Sequence, residues 1–212
     1  MVGNFYRVAL AWALSASAAC ASTVSVVGTD AHGRPAPDAV VALAATDKTQ
    51  VPTEVPEKNI IAQRDETFVP LVVVVRKGGA VVFTNDDTTK HQVYSFSPIK
   101  QFAFEIDQGQ VSAPVVFPQT GVAAIGCNIH DQMIAYVFVA DSPFAAIADA
   151  KGVAEFKNVP PGAYRATFWH PRLAPGHAWP ALDLKVDSAA TQASLSMPLL
   201  PPVGMKNMHM DY

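Results

Sequence analysis

The sequence predicts an all-β protein on three observations. Apolar and polar residues alternate over many short stretches, which is the pattern of strands with one buried face. Turn-forming clusters separate these stretches at close spacing, as in β-sandwiches and barrels. The 17 prolines and 12 glycines are spread along the 212 residues, which argues against long helices. Half of the residues are hydrophobic, enough for one large or two modest domains.

Residues 1–21 predict a cleaved signal peptide that lies outside the fold. "MVGNFYR" carries one positive charge, "VALAWALSASAA" is a short apolar run, and "ACA" offers a small-residue cleavage site. No later run reaches about 18 apolar residues, so we expect an exported, periplasmic protein without a transmembrane segment. A lipoprotein anchor on Cys20 is the competing interpretation, although the preceding "SAA" lacks the usual leucine.

Charge and cysteine content narrow the possible partners. Without the signal, 14 Lys and Arg face 18 Asp and Glu, a formal charge of about −4, because Arg7 is the only charged residue removed. No Lys/Arg cluster is present, so nucleic acid is not an expected partner. Cys127 is then the only cysteine and cannot form an internal disulfide. It is either a buried small hydrophobe or a residue with a bound group.

The first strand candidates fall in residues 22–48, where an alternating apolar stretch, a Gly/Pro turn cluster at 33–37 and a second apolar stretch follow one another. A polar link runs from Thr46 to Lys58. Residues 58–140 then supply closely spaced strand candidates: "NIIAQ", "FVPLVVVV", "AVVFTN", "HQVYSF", "APVVF", "VAAIG" and "IAYVFVA".

Residues 141–200 change in character. "VAEF" and "AYRATFW" predict strands, with tight turns at "DAKG" and "VPPG". Residues 201–212 have no period and predict a flexible tail. The tail carries Met205, Met208, His209 and Met210, which could hold Cu(I) transiently, but a metal-free tail is the simpler interpretation.

The stretch "GCNIHDQMIAY" places Cys127, His130 and Met133 at three-residue intervals beside an apolar strand. Thiolate, imidazole and thioether form a soft donor set, and two histidines, a cysteine and a distant methionine tune copper for electron transfer. Zinc has little use for a thioether, and no second cysteine could build a structural zinc site. The missing histidine must come from elsewhere, and His91 offers it by opening the strand after the polar loop "DDTTK".

On these residues, the segment 58–140 resembles the small blue copper proteins, the cupredoxins of the plastocyanin and amicyanin kind. The resemblance rests on "VVFTN…HQV" and on Cys-x-x-His-x-x-Met followed by "IAYVFV", with a short, amicyanin-type spacing before the methionine. It implies a Greek-key sandwich with one type-1 copper ion. By the same resemblance, His91 and His130 are the imidazole ligands, Cys127 is the thiolate ligand and Met133 is the axial ligand. The exposed edge of His130 is then the electron exit.

Two residues beside these ligands depart from the family pattern. Gln92 follows the first histidine where asparagine is usual, and Ile129 precedes the second histidine where proline is usual. Other polar residues are interpreted structurally: Asn85 and Asp86 as turn residues, and His170 and His177 as structural or interface residues.

The flanking segments resemble the transthyretin-like or carboxypeptidase-regulatory-like sandwich, on "VVGTDAHGRPAPDAVVAL" and "ADAKGVAEFKNVPPGAYRATFWHP". This implies that residues 22–48 and 141–200 are two parts of one split β-sandwich, with the cupredoxin domain inserted in it or packed on it. The combination is similar to that of exported bacterial proteins of the methylamine-utilisation type.

We expect a one-electron carrier, not an enzyme, that meets exported redox proteins transiently. Two alternatives stay open: copper storage, delivery or sensing in the periplasm, and a metal-free binding module of the cell envelope. A multicopper oxidase is disfavoured because a single site is visible and His-x-His pairs are absent. The sequence leaves open the electron donor and acceptor, the redox potential and the oligomeric state.

Overall fold

The computed structural model describes residues 22–47, 58–187 and 189–202, and within them the chain forms strands and no helix. The predicted all-β class is therefore confirmed. The signal peptide, most of the polar link and the Met/His tail lie outside the described residues. In chain order the strands are β1 (Ser22–Asp30), β2 (Val40–Ala45), β3 (Lys58–Arg64), β4 (Thr67–Val69), β5 (Val72–Arg76), β6 (Ala80–Asn85), β7 (His91–Ser95), β8 (Phe102–Ile106), β9 (Val115–Val116), β10 (Gly121–Cys127), β11 (Ile134–Ala140), β12 (Phe144–Ile147), β13 (Val153–Val159), β14 (Gly162–Trp169), β15 (Ala181–Val186) and β16 (Thr191–Met197).

An outer sandwich combines strands from both ends of the described chain. Its sheets have the orders β13-β1-β16 and β12-β2-β14-β15, with β1 antiparallel to β13 and parallel to β16. The turn before β13 needs Gly152, because its φ is +76° and an added Cβ would clash with the carbonyl oxygen of Gly28. The core between the two sheets includes Val24, Leu43, Phe156, Tyr164, Phe168 and Met197.

An inner sandwich is built from β3 to β11, the chain between β2 and β12. Its sheets have the orders β5-β11-β10-β7-β8 and β4-β3-β6-β9. Alternating side chains of both sheets meet in one apolar core, as period-two burial requires. Cys127 and Met133 belong to this core. Its large members include Ile61, Phe68, Phe83, Ile106, Phe117 and Ile125.

Two strands of the inner sandwich differ from the sequence prediction. "FVPLVVVV" forms two strands, because Pro70 has no amide proton to continue a ladder. The part before Pro70 pairs with β3, and the part after it runs parallel to β11 in the other sheet. Phe102–Ile106, absent from the predicted strands, pairs with β7 and has one buried residue at its end.

The two sandwiches share a third apolar cluster. Trp169 of β14 packs its ring 5.3 Å from the ring centre of Tyr136 and 6.1 Å from that of Phe138, both on β11. Aromatic contacts of this kind add to the free energy of area burial. The cluster is completed by Val40, Val72, Ala140 and Leu173. No helix of the length and apolarity needed to cross a bilayer occurs in the described residues.

Truncating Trp169 is expected to destabilise the protein. Trp169→Ala removes a buried aromatic ring and should lower the free energy of unfolding by about 3–5 kcal/mol. Urea denaturation measures this value. Trp179→Ala is the matched control, since Trp179 also contacts Phe138 at 5.4 Å but is 38% exposed. Equal losses in the two variants would show that the buried contact contributes no more than a surface one.

Candidate metal centre

Three of the four predicted ligands meet at one end of the inner sandwich. His91 is the first residue of β7 and Cys127 is the last of β10, and these neighbouring antiparallel strands place both at the same end. His91 Nδ1 lies 3.6 Å from Cys127 Sγ and 3.3 Å from His130 Nδ1. The three ligand atoms all lie within 4.8 Å of one another. The structure thus brings His91, Cys127 and His130 into one cluster.

The fourth predicted ligand, Met133, ends the loop that carries His130. Its backbone amide donates a hydrogen bond to the His130 carbonyl at 3.0 Å, which closes a tight turn between the two residues. The Met133 side chain is buried in the same apolar core as Cys127. It also lines a groove of about 340 Å³ beside the loop. Met133 is therefore a buried residue at the end of the loop that carries His130.

Burial differs among the clustered side chains in a way that sets access to the centre. The His91 side chain is 0% exposed and Cys127 is 2% exposed, whereas the His130 side chain is 17% exposed. Of these three side chains, His130 offers the largest contact with solvent. The cluster is therefore most accessible to solvent at the His130 ring.

Each imidazole turns its outer nitrogen toward a carboxylate. His91 Nε2 lies 2.8 Å from Asp87 Oδ2, and His130 Nε2 lies 3.4 Å from Glu66 Oε1. The Asp87 acceptor favours the His91 tautomer with the proton on Nε2 and leaves the lone pair on Nδ1. This lone pair faces the His130 Nδ1 and the Cys127 sulfur, and a cation between the three donors would satisfy it.

The spacing of these donors fits a bound first-row metal ion. Metal–nitrogen bonds of about 2.0–2.1 Å and metal–sulfur bonds of about 2.3 Å, at trigonal to tetrahedral angles, separate the ligand atoms by roughly 3.3–3.8 Å. The measured separations of 3.3 Å and 3.6 Å fall in this range. The soft thiolate with two imidazoles favours copper among the available metals. His91, Cys127 and His130 would hold it.

Strand register explains why Asp87 reaches this centre. β3 runs parallel to β6 with Gln63 opposite Asn85, so the residues that follow the two strands lie side by side. The Asp87 carboxylate accepts hydrogen bonds from the backbone amides of Asp65 and Glu66 at 2.6 Å and 3.1 Å. Both turn residues have φ of 52°, which aims their amides at the carboxylate. The turn between β3 and β4 is thereby fastened to the loop before His91.

Hydrogen bonding also sets the charge state of Asp87. Burial raises the pKa of its carboxyl group, but hydrogen bonds from the His91 ring and from the two turn amides outweigh this effect. The pKa therefore lies below its ordinary value. At neutral pH Asp87 is an anion that accepts every one of these bonds.

Gln92 forms a direct brace between the two ligand segments. Its side-chain oxygen accepts a hydrogen bond from Asn128 Nδ2 at 2.7 Å, and its carbonyl accepts one from the Asn128 amide at 3.0 Å. Gln92 stands where the resembling family usually has asparagine. In this chain it links the residue after His91 to the residue after Cys127. Ile129, the other departure, is exposed at the surface beside His130.

Asn85 is a structural residue, and its contacts extend beyond a simple turn. It is fully buried, its side-chain amide donates to the carbonyls of Thr89 and Ile106, and its side-chain oxygen accepts from the Asp87 amide. These bonds shape the loop that delivers His91. Asp86 pairs with Arg64 at the surface.

The remaining predicted histidines lie in the outer sandwich segment. His170 is buried, its Nε2 donates to the Pro37 carbonyl at 3.0 Å, and its Nδ1 accepts from the Arg172 amide at 2.9 Å. Both ring nitrogens are thus engaged within the protein. His177 is exposed on a loop.

Neither a protein-family model nor a curated protein matches the chain. Among solved structures, it is similar to a purple cupredoxin from Nitrosopumilus maritimus, with 23% identity over 39% of this chain and 99% of that chain, at a TM-score of 0.36. An amicyanin from Paracoccus versutus has 20% identity over 46% of this chain and 97% of that chain, at a TM-score of 0.36. A copper-containing nitrite reductase from Thermus scotoductus has 18% identity over 44% of this chain and 25% of that chain, at a TM-score of 0.37. These likenesses cover less than half of the chain, and the assignment of the metal centre rests on its side chains.

Removing the charge of Asp87 is expected to weaken metal binding. Asp87→Asn leaves an amide that cannot hold the His91 ring and both turn amides equally well, so copper affinity should fall about 10- to 100-fold. Competition with a Cu(I) chelator of known affinity measures the loss. Asp86→Asn is the matched control, because Asp86 lies beside Asp87 in the same loop and its carboxylate pairs at the surface with Arg64 of β3. Equal affinities for Asp87→Asn and the unmodified protein would contradict the orienting role.

Proposed function

We propose that the protein is a copper-binding one-electron carrier. The observation that carries this proposal is the convergence of two Nδ1 atoms and one cysteine sulfur, with both outer imidazole nitrogens turned toward carboxylates. The donors are those of electron-transfer copper sites, and the buried Met133 in the adjoining turn matches the distant thioether of such sites.

Copper bound here would supply a one-electron couple between Cu(II) and Cu(I). The protein's part is to keep the donors in the same place in both states. Asp87 holds the His91 ring, the β10–β7 pairing fixes Cys127, and the Met133 amide ties the His130 backbone. Preorganised donors need little rearrangement when the charge changes, which favours rapid transfer.

We infer a carrier that is not itself an enzyme. Three clustered donors and Met133 together would complete a four-coordinate set, which leaves no open position for a substrate. His91 and Cys127 are buried, so among the three donors it is the edge of the His130 ring that solvent reaches.

We place the carrier in the periplasm, on the strength of the charged and apolar segments within residues 1–21. Its partners are then exported redox proteins that dock briefly. Exposed apolar side chains next to the loop, Phe96, Ile129 and Ile134, support a small docking area of the kind used by transient electron-transfer complexes.

Titration with Cu(II) tests the proposed site directly. The exported protein should develop an intense thiolate-to-copper absorption band in the red part of the visible spectrum, which a reductant bleaches and reoxidation restores. Cys127→Ser should bind copper without this band. Repeated reduction and oxidation at an electrode measures whether the couple is reversible.

Two outcomes would replace the proposal. Copper bound with the band but passed readily to a chelating acceptor, with slow or irreversible redox cycling, would favour storage or delivery. Failure to bind copper would favour a metal-free binding module.

A further inference from the structure

The turn between β3 and β4 holds a carboxylate over the exposed edge of His130. Glu66 Oε1 lies 3.4 Å from His130 Nε2, and the Glu66 side chain is 51% exposed. The turn cannot swing away freely, because the amides of Asp65 and Glu66 are bound by the Asp87 carboxylate. A molecule that approaches the His130 edge therefore meets the Glu66 carboxylate first.

Other charges around this edge reinforce its negative character. Asp65 precedes Glu66 in the turn and Asp131 follows His130, and both are exposed. Two described cations of the adjoining segments are paired with other carboxylates: Arg64 with Asp86 at 2.8 Å, and Lys90 with Glu105 at 2.9 Å and with Asp107 at 3.5 Å. Glu66 contacts the exit directly, and the two further acidic residues are its chain neighbour and that of His130.

We propose that Glu66 makes the His130 exit selective for positively charged partners, namely redox proteins with lysine or arginine side chains around their own exposed cofactor edge. This inference rests on the proposed carrier function. Opposite charges raise the frequency of productive encounters and orient the partner. An ammonium or guanidinium group of the partner forms an ion pair with the Glu66 carboxylate in place of His130. The His130 edge is then free to contact the partner. Copper held by His91, Cys127 and His130 would supply the single electron that reduces the acceptor, itself passing from Cu(I) to Cu(II), with no bond or proton transferred.

Oxidation of the reduced copper protein by small complexes of opposite charge tests the selectivity. At low ionic strength, Glu66→Gln should slow oxidation by tris(phenanthroline)cobalt(III), a trication, about three- to tenfold, and should speed oxidation by hexacyanoferrate(III), a trianion. Both effects should shrink at high salt. Stopped-flow absorbance of the thiolate-to-copper band measures the rates, and the redox potential of each variant is measured beside them.

Glu155→Gln is the matched control. Glu155 lies on β13 of the outer sandwich, is 54% exposed and contacts Lys157 at 3.7 Å, so its substitution makes the same charge change at a similar exposure. It should leave the ratio of the two rate constants unchanged. A Glu66→Gln variant whose two rate constants move together, or do not move, would overturn the selectivity while the copper site stands.

A second measurement uses the metal-free protein and separates the two proposals. Hexaamminechromium(III) is paramagnetic and redox-inert, and it should broaden the NMR signals of His130 in the unmodified protein but much less in Glu66→Gln; hexacyanochromate(III) should not. Broadening elsewhere, or equally in both variants, would overturn the proposal. Selective broadening in a protein that shows no thiolate-to-copper band would uphold the cation-binding exit and reject the carrier function.

Discussion

The geometry of the candidate metal centre depends on the carboxylate of Asp87. It receives N–H groups from the His91 ring and from the amides of Asp65 and Glu66. A largely buried anion needs such partners, and charge-assisted hydrogen bonds are stronger than neutral ones. Asn85 holds the Asp87 backbone in turn. The inner ligand, the turn and the carboxylate above the outer ligand are therefore parts of one hydrogen-bonded unit.

The apolar cores of the two sandwiches differ in their relation to the candidate metal centre. In the inner sandwich the core extends up to the donors, so Cys127 and Met133 are both buried residues of that core and members of the metal-centre region. A close-packed interior restricts side-chain movement, and it keeps the donors in place without help from a bound ion. In the outer sandwich the core is separate, and the contact around Trp169 joins it to the side of β11.

Local patterns predicted much of this arrangement, and non-local pairing decided the rest. Alternation and turn residues predicted the strands, and donor chemistry at Cys127 and His130 with a strand-opening His91 predicted which side chains would meet. Asp87 and Glu66 were not predictable as neighbours of the histidines. Their position follows from the parallel register of β3 with β6, which brings the turn after β3 beside the loop after β6.

The hydrogen bonds between Gln92 and Asn128 could not be predicted from the sequence either, because they too depend on non-local pairing. They depend on which residues of β7 and of the loop after β10 come to lie opposite each other, and a single sequence carries no trace of that pairing. The split of "FVPLVVVV" had a local sign in Pro70, but its assignment to two different sheets did not.

The direction of β11 separates the His130 loop from the chain connection to the outer sandwich. The strand leaves the His130 loop at Ile134 and ends at Ala140, and only three residues separate Ala140 from the outer strand β12. At about 3.3 Å per residue, the two ends of β11 are roughly 20 Å apart. The chain connection to the outer sandwich is therefore made a strand's length away from the His130 loop.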